Sequence, residues 1–270
     1  MLSITAQRLL AAYDQVELLD RGECEPIDSL EQAIAIQDII VASRVARGEV
    51  RVGYKIGFTN RTIWDRYGVH HPIWGPVYDS TLHLLDKPVA QAIESGYVQP
   101  RLEPEIVVRL ARIPEQATVQ AIAQSLDWVA HGFEIVQSHY PDWQFSGAES
   151  FAAQGLHGAL FVGPRYKPKQ LCINPTDLPT WLSELEVDLY EAGQSDAIDR
   201  GIGAYVLDGP LHAIAHLMAQ LQSNGRTLSA GDIITTGTIT DAQPLIAGQQ
   251  WRTRLSNAGP LAGMRIDVKR

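Results

Sequence analysis

Glu103 and Glu105 stand on alternate residues in Arg-Leu-Glu-Pro-Glu-Ile-Val-Val, and a third acid, Glu134, is set inside the apolar run Trp-Val-Ala-His-Gly-Phe-Glu-Ile-Val. Residues i and i+2 of a strand point to one face, so this pair is held where like charges repel unless a cation separates them. Oxygen ligands with no nearby cysteine and no His-x-x-x-His pair favour a hard ion, Mg2+ or Mn2+, over zinc. Carboxylates from all three would fill half of an octahedral shell. The rest would suit water and a bidentate small 2-oxo acid, whose carboxylate and keto oxygens chelate in a five-membered ring. Spacing alone also admits two solvated acids on an edge strand, since Pro104 cannot donate to a ladder. Glu134 tips the balance toward a metal, because an acid inside an apolar strand needs a partner.

Lys55 sits in Val-Gly-Tyr-Lys-Ile-Gly-Phe-Thr, between neighbours that read as buried. An ammonium there needs an anion, either the carboxylate cluster or a bound substrate, unless it lies at a sheet rim with its head in water. His157 opens the apolar run Leu-His-Gly-Ala-Leu and is a candidate acid or base; His131, three residues before Glu134, falls on the other strand face and reads as a packed histidine. His70 and His71 precede Pro72 and read as loop residues. Thr235, Thr236 and Thr238 around Gly237 offer donors suited to a carboxylate, or simply reflect the strand propensity of threonine. No clear Glu-His dyad for activating water stands out.

The elements that must position these residues follow from periodicity. Thr5 is expected to cap a helix reaching Val16, and Asp28 or Ser29 a second one through Ile36, Ile40 and Val41 that stops at Arg47-Gly48. From Val50 onward short apolar runs broken by Gly and Pro predict strands, interrupted by one helix from Thr118 toward Leu126 and Trp128 and another from Asp208-Gly209-Pro210 to Asn224-Gly225. This gives an N-terminal helical segment over 1–50 and a β-rich catalytic domain over 51–270, an α+β class. With 270 residues, 45% of them hydrophobic, the chain can bury a sizeable core. A net charge of -9 without a Lys/Arg cluster argues against nucleic acid and anionic membranes as partners. Cys24 and Cys172 have no metal-type spacing and suggest no disulfide framework, and no leader or membrane span is evident, so a cytoplasmic protein is expected.

Taken in order, these motifs resemble the 2-keto-4-pentenoate hydratase and 4-oxalocrotonate decarboxylase branch of the fumarylacetoacetate hydrolase superfamily. The matching segments are Ile36-Gln37, Val52 to Thr59, Gln99-Pro-Arg-Leu-Glu-Pro-Glu-Ile106, Gly132-Phe-Glu-Ile-Val136, Asp208-Gly-Pro-Leu211 and Gly231 to Thr238. The resemblance implies a mixed β-roll core and a divalent ion held by Glu103, Glu105 and Glu134. It further implies Lys55 facing the substrate, Thr59 and the Thr236-Gly237-Thr238 segment lining the pocket, and a homo-oligomer. One departure stands out: Ala153 occupies the place of an aspartate common in the family, and His157 is the candidate to compensate. The implied activity is a metal-dependent lyase that hydrates a 2-hydroxydienoate late in aromatic ring cleavage. Its rivals, in order, are decarboxylation of a vinylogous 2-oxo acid, acylpyruvate C–C hydrolysis, and an inactive metal-binding partner subunit.

Overall fold

The structure, a computed structural model, describes residues 3–61, 64–67, 71–171 and 174–270, so His70 and Cys172 lie outside the described residues. Helices α1 (Ile4–Gln15) and α2 (Leu30–Ala46) lead into strands β1 (Arg51–Gly57), β2 (Ile73–Tyr78), β3 (Leu82–Leu84), β4 (Val89–Ile93), β5 (Arg101–Leu110), β6 (Leu126–Val136), β7 (His157–Tyr166), β8 (Glu186–Glu191), β9 (Asp199–Ile202), β10 (Ile233–Thr238), β11 (Gln243–Pro244), β12 (Gln250–Ser256) and β13 (Arg265–Lys269). The larger sheet runs β2-β1-β10-β5-β6-β7-β3, with β11 added beside β5; the smaller runs β4-β13-β12-β8-β9. Both mix parallel and antiparallel pairs: β1 runs parallel to β10 and β10 antiparallel to β5 in the larger, β13 parallel to β4 and antiparallel to β12 in the smaller. The expected α+β class with a mixed β core is what the chain adopts.

Alternation along the central strands separates a packed face from a chemical one. Leu102, Phe133 and Ile135 point into a core shared with Trp251, Met264, Ile266 and Val268 of the smaller sheet. Glu103, Glu105 and Glu134 alternate with them and face the other way. His131 belongs to the packed side, its Nδ1 3.0 Å from the Glu105 carbonyl and its Nε2 2.8 Å from Thr253 Oγ1. Helices cover part of the larger sheet, where Ile36 and Ile40 of α2 share one apolar cluster with Tyr54, Ile56 and Trp74, while Val77, Val107, Ala130, Leu160, Val162 and Ile233 of its strands pack on one another.

Two local expectations are corrected. Helix α1 begins with Ser3 in the N-cap position, while Thr5 is buried and exchanges hydrogen bonds with the backbone of Glu25, at 2.9 Å from its N–H and 3.3 Å to its carbonyl. The helix capped by Thr118 spans only Val119–Ala123, and Leu126 and Trp128 are strand residues of β6. Their apolar spacing fits either period, and pairing with β5 decides it, Trp128 opposite Arg109 and Leu126 opposite Leu110. Ser29 caps α2 by accepting the Gln32 N–H, and the last long helix, Pro210–Ser223, stops before Asn224-Gly225 as the sequence predicts. Among the described residues, no helix is long and apolar enough to cross a membrane. Cys24 carries a free thiol.

Candidate metal centre and its cavity

Antiparallel pairing of β5 with β6 sets Glu103 directly opposite Glu134, and Glu105 opposite Gly132. Gly132 has no side chain to separate the acids. One carboxylate oxygen from each of the three glutamates lies within 4.8 Å of the others. That span suits a single cation with oxygen ligands at about 2.1–2.6 Å. The expected cluster therefore exists in space.

The fit to a cation is visible in the atoms left bare. Glu105 Oε2 accepts the Gly237 N–H at 2.7 Å and the Thr235 hydroxyl, whereas its Oε1 is buried without a hydrogen-bond partner. Glu134 Oε1 meets His157 Nδ1 at 2.8 Å, whereas its Oε2 is buried with no hydrogen bond, only the Lys55 ammonium 3.3 Å away. Bare buried carboxylate oxygens are costly unless a cation fills the space between them. Burial first, then neighbouring carboxylates, push Glu105 well above the usual range, and burial holds Glu103 up to about 7 against the opposing pull of Lys55. Burial also raises Glu134, but Lys55 and His157 outweigh it and leave that group below its ordinary value. These shifts describe a cluster short of positive charge.

Lys55 is 2% exposed and points into the cluster rather than to a sheet rim. Its ammonium donates to the Gly155 carbonyl at 2.9 Å. Burial disfavours its charge, yet Glu134, Glu103 and Glu105 together raise its pKa, so it stays an ammonium. The carbonyl it meets comes from Gln154, Gly155 and Leu156, three consecutive residues with positive φ of 57°, 66° and 65°. This left-handed turn is strained at Gln154 and Leu156 and natural at Gly155, where a Cβ would meet Lys55 Cδ at 2.9 Å. Ala153 begins the turn at the end of the short helix Gly147–Ala152 and brings no polar side chain to it.

A cavity of about 150 Å³ opens above the cluster. Lys55 and Glu103 line its inner end, the apolar side chains of Phe58, Ile73, Val136, Trp143, Phe145 and Leu156 its walls, and Asn60, Arg101, Thr240, Asp241 and Gln243 its polar parts. Arg101 stacks over Trp143 at 4.5 Å, and among the described residues no acid forms an ion pair with it.

Of the residues singled out from sequence, Glu103, Lys55, Thr59 and Thr238 border this cavity. Thr59 is 2% exposed with a hydroxyl that lacks a partner. Gly237 contributes its N–H to Glu105; its φ of 106° and the 1.9 Å approach of a hypothetical Cβ to Thr59 Oγ1 leave no room for any other residue. Thr236 does not join them: its hydroxyl donates to the Ile106 carbonyl on the opposite face at 2.9 Å. A register shift between Thr235 and Thr238 lets Thr235 and Gly237 both reach Glu105. His157 is buried behind Glu134, with Nε2 2.9 Å from Thr81 Oγ1, and burial keeps its pKa below the ordinary value despite the carboxylate. It does not border the cavity, so the Glu-His contact that the sequence did not reveal is present but turned away from any attacking water. Sequence reasoning missed Thr81, the Gly155 carbonyl and the aromatic wall. None carries a local signature, because backbone acceptors and cavity walls are made by distant segments.

The chain is similar to known proteins in sequence and in fold. The chain is 29% identical to a 4-oxalocrotonate decarboxylase of a Pseudomonas species, over 87% of its own length and 86% of that protein's. It is 28% identical to a 2-hydroxyhexa-2,4-dienoate hydratase of Comamonas testosteroni, over 87% and 85% of the two lengths. Among solved structures, 4-oxalocrotonate decarboxylase from Pseudomonas putida G7, complexed with magnesium and adipate, superposes with a TM-score of 0.83 at 24% identity, covering 98% of this chain and 95% of that one. Fumarylpyruvate hydrolase from Pseudomonas aeruginosa, in complex with Mn2+ and pyruvate, gives a TM-score of 0.61 at 14% identity over 82% and 90% of the chains. Residues 80–264 match the model for the fumarylacetoacetate (FAA) hydrolase C-terminal family, and the chain belongs to that family.

Proposed function

We propose that this chain is a divalent-metal-dependent lyase that adds water to a 2-hydroxydienoate or 2-oxo-alkenoate, with Mg2+ or Mn2+ held by Glu103, Glu105 and Glu134. The observation that carries the reading is one oxygen from each of three glutamates within 4.8 Å of one another, with Glu105 Oε1 buried without a hydrogen bond and Glu134 Oε2 met only by the Lys55 ammonium, beside a cavity that Glu103 lines. A cation bound there would supply Lewis acidity toward the carboxylate and 2-oxygen of such a substrate. The chain's own groups account for the rest. Lys55 Nζ, fixed between Glu134 and the Gly155 carbonyl, places positive charge where an enolate develops, a preorganised stabilisation that needs no reorganisation during reaction. Thr59 Oγ1, without a hydrogen-bond partner among the described residues, is available to donate to a substrate carboxylate. Phe58, Trp143 and Phe145 shield the apolar tail from bulk water.

Decarboxylation of a vinylogous 2-oxo acid is the second reading, and one observation favours it: Arg101 lies in the cavity wall with no ion-paired acid among the described residues and suits a second substrate carboxylate. Acylpyruvate hydrolysis falls behind both, since His157 is directed away from the cavity. An inactive partner subunit would have no use for bare acids buried beside an ammonium. A cytoplasmic homo-oligomer is part of the proposal, drawn from the family resemblance, and light scattering on the purified protein reads its mass.

The test is a panel of 2-hydroxydienoates with and without a second carboxylate, followed by loss of diene absorbance and by carbon dioxide release. Turnover should require added Mg2+ or Mn2+ and vanish with EDTA. Unchanged activity after exhaustive chelation would refute the reading.

A further inference from the structure

Glu105 and Glu134 each have one oxygen held by hydrogen bonds and one turned to the cluster without a hydrogen bond, but by unrelated means. On Glu105 the engaged oxygen is held by the Thr235 hydroxyl and the Gly237 N–H, both from β10. On Glu134 the same role falls to one ring, His157 Nδ1 at 2.8 Å, whose far nitrogen is 2.9 Å from Thr81 Oγ1. All three side chains are buried: Glu134 is 0%, His157 4% and Thr81 6% exposed. A carboxylate offers only acceptor lone pairs, so Nδ1 must carry the hydrogen. In a neutral ring Nε2 then accepts from the Thr81 hydroxyl, which lies nearer to it than to its other acceptor, the Tyr78 carbonyl at 3.1 Å.

From this we infer that His157 is a positioning residue: with Thr81 behind it, the ring clamps Glu134 Oε1 and presents Oε2 alone to the cation site and Lys55. The inference rests on the metal-binding part of the proposed function and assigns a role to two residues that do not touch substrate. It also gives a reason for His157 beside Ala153. A polar group at position 153 is not needed to hold Glu134, because the clamp comes from the first residue of β7 and from the turn before β3.

The clamp makes distinct demands on its replacements. Asparagine carries an amide N–H near the place of Nδ1, leucine fills the space without a donor, and glutamine carries its donor farther out. Mn2+ affinity of the metal-free protein, measured by titration calorimetry, should fall by about 10- to 100-fold in His157→Leu and His157→Gln but by only a few-fold in His157→Asn. Thr81→Val should weaken Mn2+ several-fold, and nitrogen NMR of the wild-type ring should report hydrogen on Nδ1 and a lone pair on Nε2. At saturating Mn2+ the His157→Asn variant should recover near wild-type kcat.

Wild-type Mn2+ affinity in a folded His157→Leu protein would overturn the assignment, as would His157→Asn binding no better than His157→Leu. Hydrogen on Nε2 instead of Nδ1 would do the same, and it is read on the wild-type protein even where a variant does not fold. Failure of the metal reading itself looks different, because the wild-type chain would then bind no Mn2+ at all.

Discussion

Arg44 and Glu49 form a second charge cluster, with Arg44 buried and Glu49 half-buried, and its contrast with the glutamate cluster is instructive. Arg44 is 2% exposed and reaches Glu49 Oε2 through two nitrogens at 2.5 and 3.0 Å, with its guanidinium stacked over Tyr13 and Tyr78 at 4.4 and 3.9 Å. Arg47 takes the other oxygen at 2.7 Å and Ser80 adds a hydrogen bond at 2.6 Å. No atom of this group is left buried without a partner, whereas Glu105 Oε1 has none and Glu134 Oε2 meets only the Lys55 ammonium. Burial raises the Glu49 pKa, but the hydrogen bonds of Arg44, Ser80 and Arg47 bring it down to about 2, while Glu103 stands at about 7. One cluster, at the edge of solvent, is closed by the chain itself, and the other, set deeper, is closed only when something enters.

Removing an acid should therefore have opposite consequences in the two places. Glu105→Gln should abolish tight Mn2+ binding and lower turnover by on the order of 10³-fold, the scale expected when a preorganised electrostatic element is lost. The same variant, metal-free, should melt a few degrees higher than wild type, because like charges no longer face each other. Calorimetry on metal-loaded and metal-free protein reads both effects, and a lower melting point for the metal-free variant would dissolve the contrast.

Arg44→Met should destabilise the fold by about 2 kcal/mol, since it removes the charge-assisted hydrogen bonds to Glu49, which keeps Arg47 and Ser80 as partners, with kcat of the folded fraction unchanged. Urea denaturation and turnover at low temperature separate the two.

The pH responses should also run in opposite directions. Glu103 holds its proton more tightly folded than unfolded, so the metal-free protein loses stability as pH rises from about 4.5 through 7. Glu49 holds its proton less tightly folded, so its contribution is present above about 4.5 and is lost as pH falls through 2. Melting curves of wild type and Glu103→Gln between about pH 5 and 8 should diverge, wild type falling more, and bound Mn2+ should abolish that fall in the wild type. The smallest effect is expected from Thr59→Val, a rise in substrate KM of about 3- to 10-fold with metal affinity unchanged, the worth of one hydrogen bond.

The carboxylates were legible before folding because type and spacing carry their signal. Acids on alternate strand residues, and an acid or lysine inside an apolar run, each demand a partner wherever the chain goes. Segments such as Leu126–Trp128 were not, since apolar spacing over a few residues fits helix and strand alike until a neighbouring strand pairs with it. Thr236 was misread for a related reason: a register shift in β10 turns Thr235 and Gly237 toward Glu105 and directs Thr236 to the Ile106 carbonyl.

By itself the sequence determined which groups need a counter-charge and which faces of the strands are apolar, because burial of unpaired charge is costly in any fold. Only the tertiary structure decided which oxygen of each glutamate stays bare, that His157 stands behind Glu134 rather than at the cavity, and that Arg44 rather than a ligand satisfies Glu49. Those outcomes depend on hydrogen-bond geometry at the scale of tenths of an ångström, set by strand register and by turns from distant parts of the chain.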